Sequence, residues 1–281
     1  MKQAVPMTNG RPHQARKRFG QNFLHDQGVI QRIIDTIHPV SEDHLLEIGP
    51  GQGALTRPLA DSGARLDCVE LDRDLADFLQ KQFKGRDRVS IIQQDILRFD
   101  LASLVEGEKR ELRVIGNLPY NISTPVMFHL LKRHPLIRDM VFMLQLEVVQ
   151  RLAAKPGDKN YGRLGLMTQY YCDVQHLFNV PSAAFTPKPK VSSAIVRLVP
   201  HQQFPVAARD VGCLQLVIRT AFNQRRKTLK NSLKAIISEE RLRSLPLEMG
   251  QRPENLSLED YVVISDALSD ELADQVNDSN S

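Results

Sequence analysis

Asn117-Leu118-Pro119-Tyr120 closes an apolar run at 112–115 and offers two oxygen acceptors, a stiffened turn and a flat aromatic face. These are the parts needed to activate an exocyclic amine on a nucleic-acid base. The amine of adenine is a poor nucleophile because its lone pair is delocalised into the ring. If the Asn117 side-chain oxygen and the Leu118 main-chain oxygen each accept a hydrogen bond from it, the nitrogen is drawn toward tetrahedral geometry and its lone pair is localised. Pro119 fixes the backbone and Tyr120 supplies a stacking surface. Asn117, Leu118, Pro119 and Tyr120 are therefore the candidate catalytic residues for methyl transfer to a base amine. The same four residues also suit an ordinary strand-ending turn, so the rest of the chain must decide.

A second constellation begins at Glu47-Ile48-Gly49-Pro50-Gly51-Gln52-Gly53, directly after an apolar run at 45–48. Glycines here let the backbone turn sharply and approach a ligand closely. The loop also satisfies a dinucleotide pattern through Gly49, Gly51 and Ala54, so by itself it leaves S-adenosylmethionine and a nicotinamide cofactor both open. The neighbouring acids favour the former. Glu70 ends the next apolar run and can accept both ribose hydroxyls of an adenosine. Asp95 ends the third and can accept from an adenine amine, while Asp72 fits a helix cap. A cap is the competing reading for each acid taken singly.

These residues need a frame that brings them together. Short apolar runs at 45–48, 66–69, 89–92, 112–115 and 140–144 alternate with stretches long enough for helices, the βαβ rhythm of a mostly parallel sheet. A helix is expected at 28–37, and two further strands, 177–180 and 194–199, flank the turn Phe185-Thr186-Pro187-Lys188-Pro189-Lys190. The ligand crevice of such a sheet lies at the carboxyl ends of its strands, where Gly49, Glu70, Asp95 and Asn117 would converge. From 214 to 237 the pattern becomes helical. The spacing predicts a basic N-terminal arm (1–25), an α/β domain (26–203), a small helical domain (204–270) and an unstructured acidic tail (271–281).

At 281 residues, with 42% hydrophobic and 25% charged residues, the chain has the make-up of a soluble globular protein. No run approaches the roughly 18 apolar residues of a membrane helix, and the N-terminus lacks the apolar core of a signal peptide, so no membrane partner and a cytoplasmic location are expected. Cys68, Cys172 and Cys213 lack metal-ligand spacing, and no metal is expected. The net charge of +4 is unevenly spread. Residues 1–25 carry five basic side chains and no acid, 216–234 carry six and no acid, and 265–281 carry five acids and no base. Two basic segments suggest contact with a polyanion, against the plainer alternative of solvated helix faces.

Taken together the motifs resemble those of the class I S-adenosylmethionine-dependent methyltransferases, and more narrowly the rRNA adenine N6-dimethyltransferases. Lys17-Arg18-Phe19-Gly20-Gln21-Asn22-Phe23-Leu24 is similar to that family's opening motif. Phe185-Thr186-Pro187-Lys188-Pro189-Lys190-Val191-Ser192-Ser193 is similar to its late loop, and Phe222-Asn223-Gln224-Arg225-Arg226-Lys227-Thr228-Leu229 to its C-terminal basic helix. The resemblance implies a Rossmann-like seven-stranded sheet with a C-terminal α-helical domain, and S-adenosyl-L-methionine as cofactor. Asn22, Leu24, Gly49, Gly51, Glu70, Asp95 and Asn117 would hold that cofactor, and Tyr120 and Phe185 would sandwich a flipped-out base. Arg16, Lys17, Arg18, Arg225, Arg226, Lys227 and Lys230 would contact RNA. The basic block points to the small-subunit members, which dimethylate two adjacent adenines near the 3′ end of 16S rRNA within the 30S subunit, with a monomer as the default. A large-subunit rRNA substrate and a ribosome-assembly checkpoint role remain the competing readings.

Overall fold

The computed structural model describes residues 7–8, 11–12, 16, 21–105 and 112–279. The chain divides into two compact units, Met1–Val149 with Asp173–Pro200, and Gln150–Cys172 with His201–Ser281. In the first unit β1 (Met7–Thr8) pairs with β2 (Arg11–Pro12), and β3 (Phe23–Leu24) leads into α1 (Gln27–Ile37). Asp26 caps α1 by accepting from the Val29 amide at 3.0 Å, and the helix buries Ile30, Ile33 and Ile37 along one face. The alternating layer follows: β4 (His44–Ile48), α2 (Thr56–Asp61), β5 (Arg65–Glu70), α3 (Arg73–Gln82), β6 (Val89–Gln93), β7 (Leu112–Asn117), α4 (Ser123–Leu131), β8 (Ile137–Gln145) and α5 (Leu146–Leu152). After an excursion into the second unit come β9 (Cys172–Val180), β10 (Phe185–Thr186) and β11 (Ser193–Pro200).

Seven strands form one sheet in the order β6-β5-β4-β7-β8-β11-β9. The first five are mutually parallel and β11 runs antiparallel to β8. Leu45, Leu66, Val114, Met140 and Phe142 are almost fully buried, as expected of strands covered on both faces. The chain order reverses between β4 and β7, and at such a switch point the loops leaving the two strands part and open a crevice. Register sets Ile48 beside Gly116, so the glycine loop and Asn117 emerge side by side. Gly116 is required there, since a Cβ would lie 2.9 Å from the Ile48 carbonyl oxygen and from Leu118.

The second unit contains α6 (Arg163–Tyr171), α7 (Val211–Asn223), α8 (Leu229–Leu233), α9 (Glu239–Ser244) and α10 (Leu258–Ser279). Leu214, Val217, Ile218, Leu229, Leu233, Ile264 and Leu268 form its apolar interior, and Phe222 packs against the rings of Tyr161 and Tyr261.

Three features differ from the sequence expectation. The helical unit does not start near 204 alone but also takes Gln150–Cys172, because Tyr161 buries its ring there and bonds the Leu256 carbonyl at 2.9 Å. The helix expected from 214 to 237 breaks at 224–228, where consecutive polar residues offer nothing to bury before Thr228 restarts a turn as the cap of α8. Finally, the stretch expected to be unstructured from 271 continues α10 to Ser279: Glu271 accepts from the Ser238 amide and hydroxyl, and Asp274 pairs with Arg241 at 2.8 Å.

Candidate active site

A cavity of about 340 Å³ opens at the carboxyl ends of β4, β5, β6 and β7. Its walls include Asn22, Leu24, Gly49, Gly51, Glu70, Asp95, Asn117, Leu118, Pro119 and Tyr120. Residues separated by almost a hundred positions in sequence are thus gathered by strand ends. Gly51 has φ of +59° and donates its amide to Glu70 Oε2 at 3.0 Å, while the Asp72 amide donates to Glu70 Oε1 at 2.8 Å. The carboxylate is thereby held by backbone amides on the cavity wall. Burial raises its pKa, offset in part by these amide bonds. Asp95 caps the turn after β6 through one oxygen, 3.0 Å from the Leu97 amide, and the other oxygen is available to a ligand.

Asn117 Nδ2 donates to the Asn22 carbonyl at 3.1 Å. That bond fixes the amide's orientation and turns Oδ1 into the acceptor. The Leu118 amide is held by the Met143 carbonyl at 3.3 Å, and among the described residues nothing donates to the Leu118 carbonyl. Asn117 and Leu118 both line the cavity, and the bond on Nδ2 leaves Oδ1 as the acceptor of that side chain. The Tyr120 hydroxyl bonds Ser193 Oγ at 2.7 Å, which locks the ring, and burial raises its pKa despite that bond.

The opening segment is strapped down from behind. Gln21 Nε2 donates to Asp72 Oδ2 at 3.1 Å, and Arg16 pairs with Asp72 at 2.9 Å and with Asp74. Asp72 also caps α3, as expected. Ser193 and Gln21 both lay inside recognised motifs without a role, and only the fold reveals their partners.

Glu47 is a site residue the sequence did not single out. It sits on β4 beneath the glycine loop, 2% exposed, with the Cys68 thiol 3.7 Å from its carboxylate. Burial, reinforced by the charge of Glu70, pushes its carboxyl from 4.5 up to about 7. Between those values the folded protein holds a proton that the unfolded chain has released, so this contribution to stability falls as pH rises through the window. Relative to the native protein, Glu47→Gln is expected to lose about 3 kcal/mol less stability between about pH 5 and about pH 8. Urea denaturation across that range measures it; parallel profiles for the two proteins would refute the assignment.

One expected wall residue lies elsewhere, and two of the expected RNA cations have acidic partners. Phe185 does not line the cavity: β10 pairs it with Leu24, and it is 3% exposed within the apolar core, so of the two rings assigned to the base only Tyr120 is on the wall. Arg16 pairs with Asp72 and Asp74, and Lys230 Nζ with Glu239 at 2.6 Å. Arg225, Arg226 and Lys227 occupy the turn between α7 and α8 rather than a helix. Lys17 and Arg18 lie outside the described residues.

The sequence pattern of the family described as "Ribosomal RNA adenine dimethylase" matches residues 12–270. The chain belongs to that family. It is an S-adenosylmethionine-dependent enzyme of rRNA adenine dimethylation. Over 264 residues it is 57% identical to the "Ribosomal RNA small subunit methyltransferase A" of Marinobacter nauticus, covering 94% of this chain and 95% of that protein. A dimethyladenosine transferase from Plasmodium falciparum shares the fold, with a TM-score of 0.72 at 24% identity over 86% of this chain and 95% of the other. The 23S rRNA methyltransferase ErmE superposes with a TM-score of 0.68 at 25% identity, covering 88% of this chain and all of that one, 100%.

Proposed function

We propose that this dimethyltransferase acts on two adjacent adenines in the 3′-terminal hairpin loop of 16S rRNA, within the 30S subunit, in the cytoplasm and as a monomer. Support for the small subunit comes from the 57% identity to a small-subunit relative, against 25% to the 23S enzyme. No helix among the described residues is long and apolar enough to cross a membrane.

The observation that carries the chemical reading is the paired acceptors Asn117 Oδ1 and Leu118 O on the wall that also bears Gly49, Glu70 and Asp95. The cavity fits an adenosine-bearing cofactor. Gly49, where a Cβ would meet nothing within 4 Å, faces open space, and Glu70 presents two acceptor oxygens to a ribose. When bound, S-adenosylmethionine supplies an electrophilic methyl group. Glu70 would hold its ribose, Asp95 its adenine amine, and Asn22 and Leu24 its methionine end. Asn117 and Leu118 would grip the target amine, Pro119 would hold their spacing, and Tyr120 would stack on the base. No strong general base is needed, because a methylated amine is a cation that loses its proton readily to water or to a carbonyl acceptor. The amine keeps one hydrogen after the first transfer, so a second round needs only room and fresh cofactor. Arg226 and Lys227 would meet RNA phosphates.

The test is methyl transfer from labelled S-adenosylmethionine to unmodified small subunits, large subunits and duplex DNA in parallel, followed by nuclease digestion and mass spectrometry. Dimethyladenosine from the small subunit alone is expected; product from either other substrate alone would overturn the assignment.

A further inference from the structure

Ser193 is a hydroxyl in an otherwise apolar place. It opens β11 fully buried, and Ala194, Ile195, Val196 and Leu198 beyond it are equally buried. A buried hydroxyl is costly unless it is bonded, and among the described residues its Oγ has one partner, the Tyr120 hydroxyl at 2.7 Å. Ser193 is not part of the cavity wall, whereas the half-buried Tyr120 is.

The sheet explains how the two meet. β8 lies between β7 and β11 and carries both at its carboxyl end. Met143 stands opposite Asn117 and its carbonyl accepts the Leu118 amide at 3.3 Å, while Gln145 stands opposite Ser193. The Tyr120–Ser193 bond therefore spans β8 and ties the tetrapeptide to the end of the late loop. At its backbone end Tyr120 is held by the turn that follows. There the Ile122 amide donates to the Pro119 carbonyl at 3.1 Å, and the Ser123 hydroxyl to the Tyr120 carbonyl at 3.2 Å. The ring is thus fixed at both ends, and at the hydroxyl end by a single bond.

What that bond does for the reaction follows from counting hydrogens. The unmethylated amine has two, one for Asn117 Oδ1 and one for Leu118 O. In the first transfer the amine nitrogen bonds the methyl carbon, the carbon–sulfur bond breaks with its electron pair going to sulfur, and the nitrogen then sheds a proton to water. One hydrogen remains, and one of the two acceptors has lost its donor. The second transfer starts with a weaker grip on the amine, so the placement of the base rests more heavily on the stacking face of Tyr120. We propose that Ser193 is a positioning residue which, by holding the Tyr120 ring, sustains the second methyl transfer more than the first. The inference rests on the reading above in which Asn117 and Leu118 grip the amine and Tyr120 stacks on the base.

Time courses with unmodified small subunits at saturating S-adenosylmethionine, digested by nuclease and read by mass spectrometry, give the rates of both transfers. They are compared for the native protein, Ser193→Ala, Tyr120→Phe and the double variant. In Ser193→Ala the ratio of second to first rate is expected to fall about 10-fold, so that N6-monomethyladenosine accumulates, with cofactor affinity unchanged. Tyr120→Phe is expected to match it, and the double variant to be no worse than either single one, since each removes the same bond. Should Ser193→Ala fail to fold, Tyr120→Phe carries the same comparison at a half-buried position. Equal slowing of both transfers would make the serine merely structural, and additive losses in the double variant would mean that it does not act through Tyr120. Either result, or a native ratio in the single variants, would overturn the proposal. Failure of the native protein to methylate small subunits would instead overturn the substrate assignment, and the ratio is then read on the RNA that it does methylate.

Discussion

Asn117→Ala is expected to slow methyl transfer about a hundredfold, a loss of about 3 kcal/mol of transition-state stabilisation, comparable to removing one preorganised hydrogen-bonding group elsewhere. The magnitude follows from what Asn117 is held to do. Its Nδ2 is tied to the Asn22 carbonyl at 3.1 Å, so Oδ1 faces the cavity before substrate arrives and no reorganisation is needed at the moment of reaction. Alanine deletes that acceptor and leaves only Leu118 O on the amine. It also releases Asn22, so cofactor affinity should fall, but by less than the rate, because Gly49, Glu70 and Asp95 keep their places. Single-turnover transfer at saturating cofactor separates the two effects. A native rate there, with weakened cofactor binding, would make Asn117 a strap for the opening segment and not the group that polarises the amine. Asn117→Asp sharpens the distinction, since it retains an acceptor but loses the donor to Asn22.

The part of this site that was legible in the sequence was the part fixed by strand ends. Parallel strands buried on both faces read as continuous apolar runs, and the polar residue ending each run falls at the crevice by topology alone. Gly49, Glu70, Asp95 and Asn117 needed no tertiary knowledge beyond that rule. Side-chain commitments made across the fold were not legible. Nothing local distinguishes Arg16, which is bound to Asp72 and Asp74, from Arg226, which has no such partner. Lys230 and Glu239 are nine residues apart, a spacing that no helical periodicity pairs. Phe185 was assigned to base stacking on the family resemblance, and the pairing of β10 with β3 buries it. Glu47 stands one residue before the end of β4 as the opening of the glycine-loop run, and its burial depends on the layers that close over the sheet, which no local pattern announces. The excursion at Gln150–Cys172 escaped notice for a similar reason, since its contacts are to residues a hundred positions downstream.

The largest stability effect is expected at the opposite end of the sheet from Asn117. Arg113, near the start of β7 and only 7% exposed, donates Nε and Nη2 to the two oxygens of Asp139 at 2.9 and 3.1 Å, Nη1 to Asp43 at 2.7 Å, and Nη2 again to the Ile37 carbonyl at 2.7 Å. The last of these satisfies a carbonyl at the C-terminal end of α1 that has no partner within the helix. Arg197 from β11 adds a bond to Asp139 at 2.7 Å, and Arg138 pairs with Asp43. Burial pushes the Asp43 carboxyl up, but the bonds from Arg138 and Arg113 outweigh it and hold the group below its ordinary value. Such a network is weak evidence of net stability over an apolar alternative, but breaking it from one side is costly, because the remaining charges stay buried. Arg113→Met should therefore destabilise the protein by about 3–5 kcal/mol at neutral pH, whereas Arg138→Ala, which removes a half-exposed side chain, should cost under about 1 kcal/mol. The pH dependence separates this account from simple misfit. In the native protein the Asp43 contribution is present above the unfolded carboxyl pKa of about 4 and is lost as pH falls through the lowered folded value. In Arg113→Met the abandoned carboxylate of Asp43 becomes easier to protonate, so the penalty should shrink on acidification from pH about 7 to about 5. Denaturant midpoints of the two proteins at those pH values measure it, and a penalty independent of pH would mean that lost packing, and not stranded charge, is what the substitution costs.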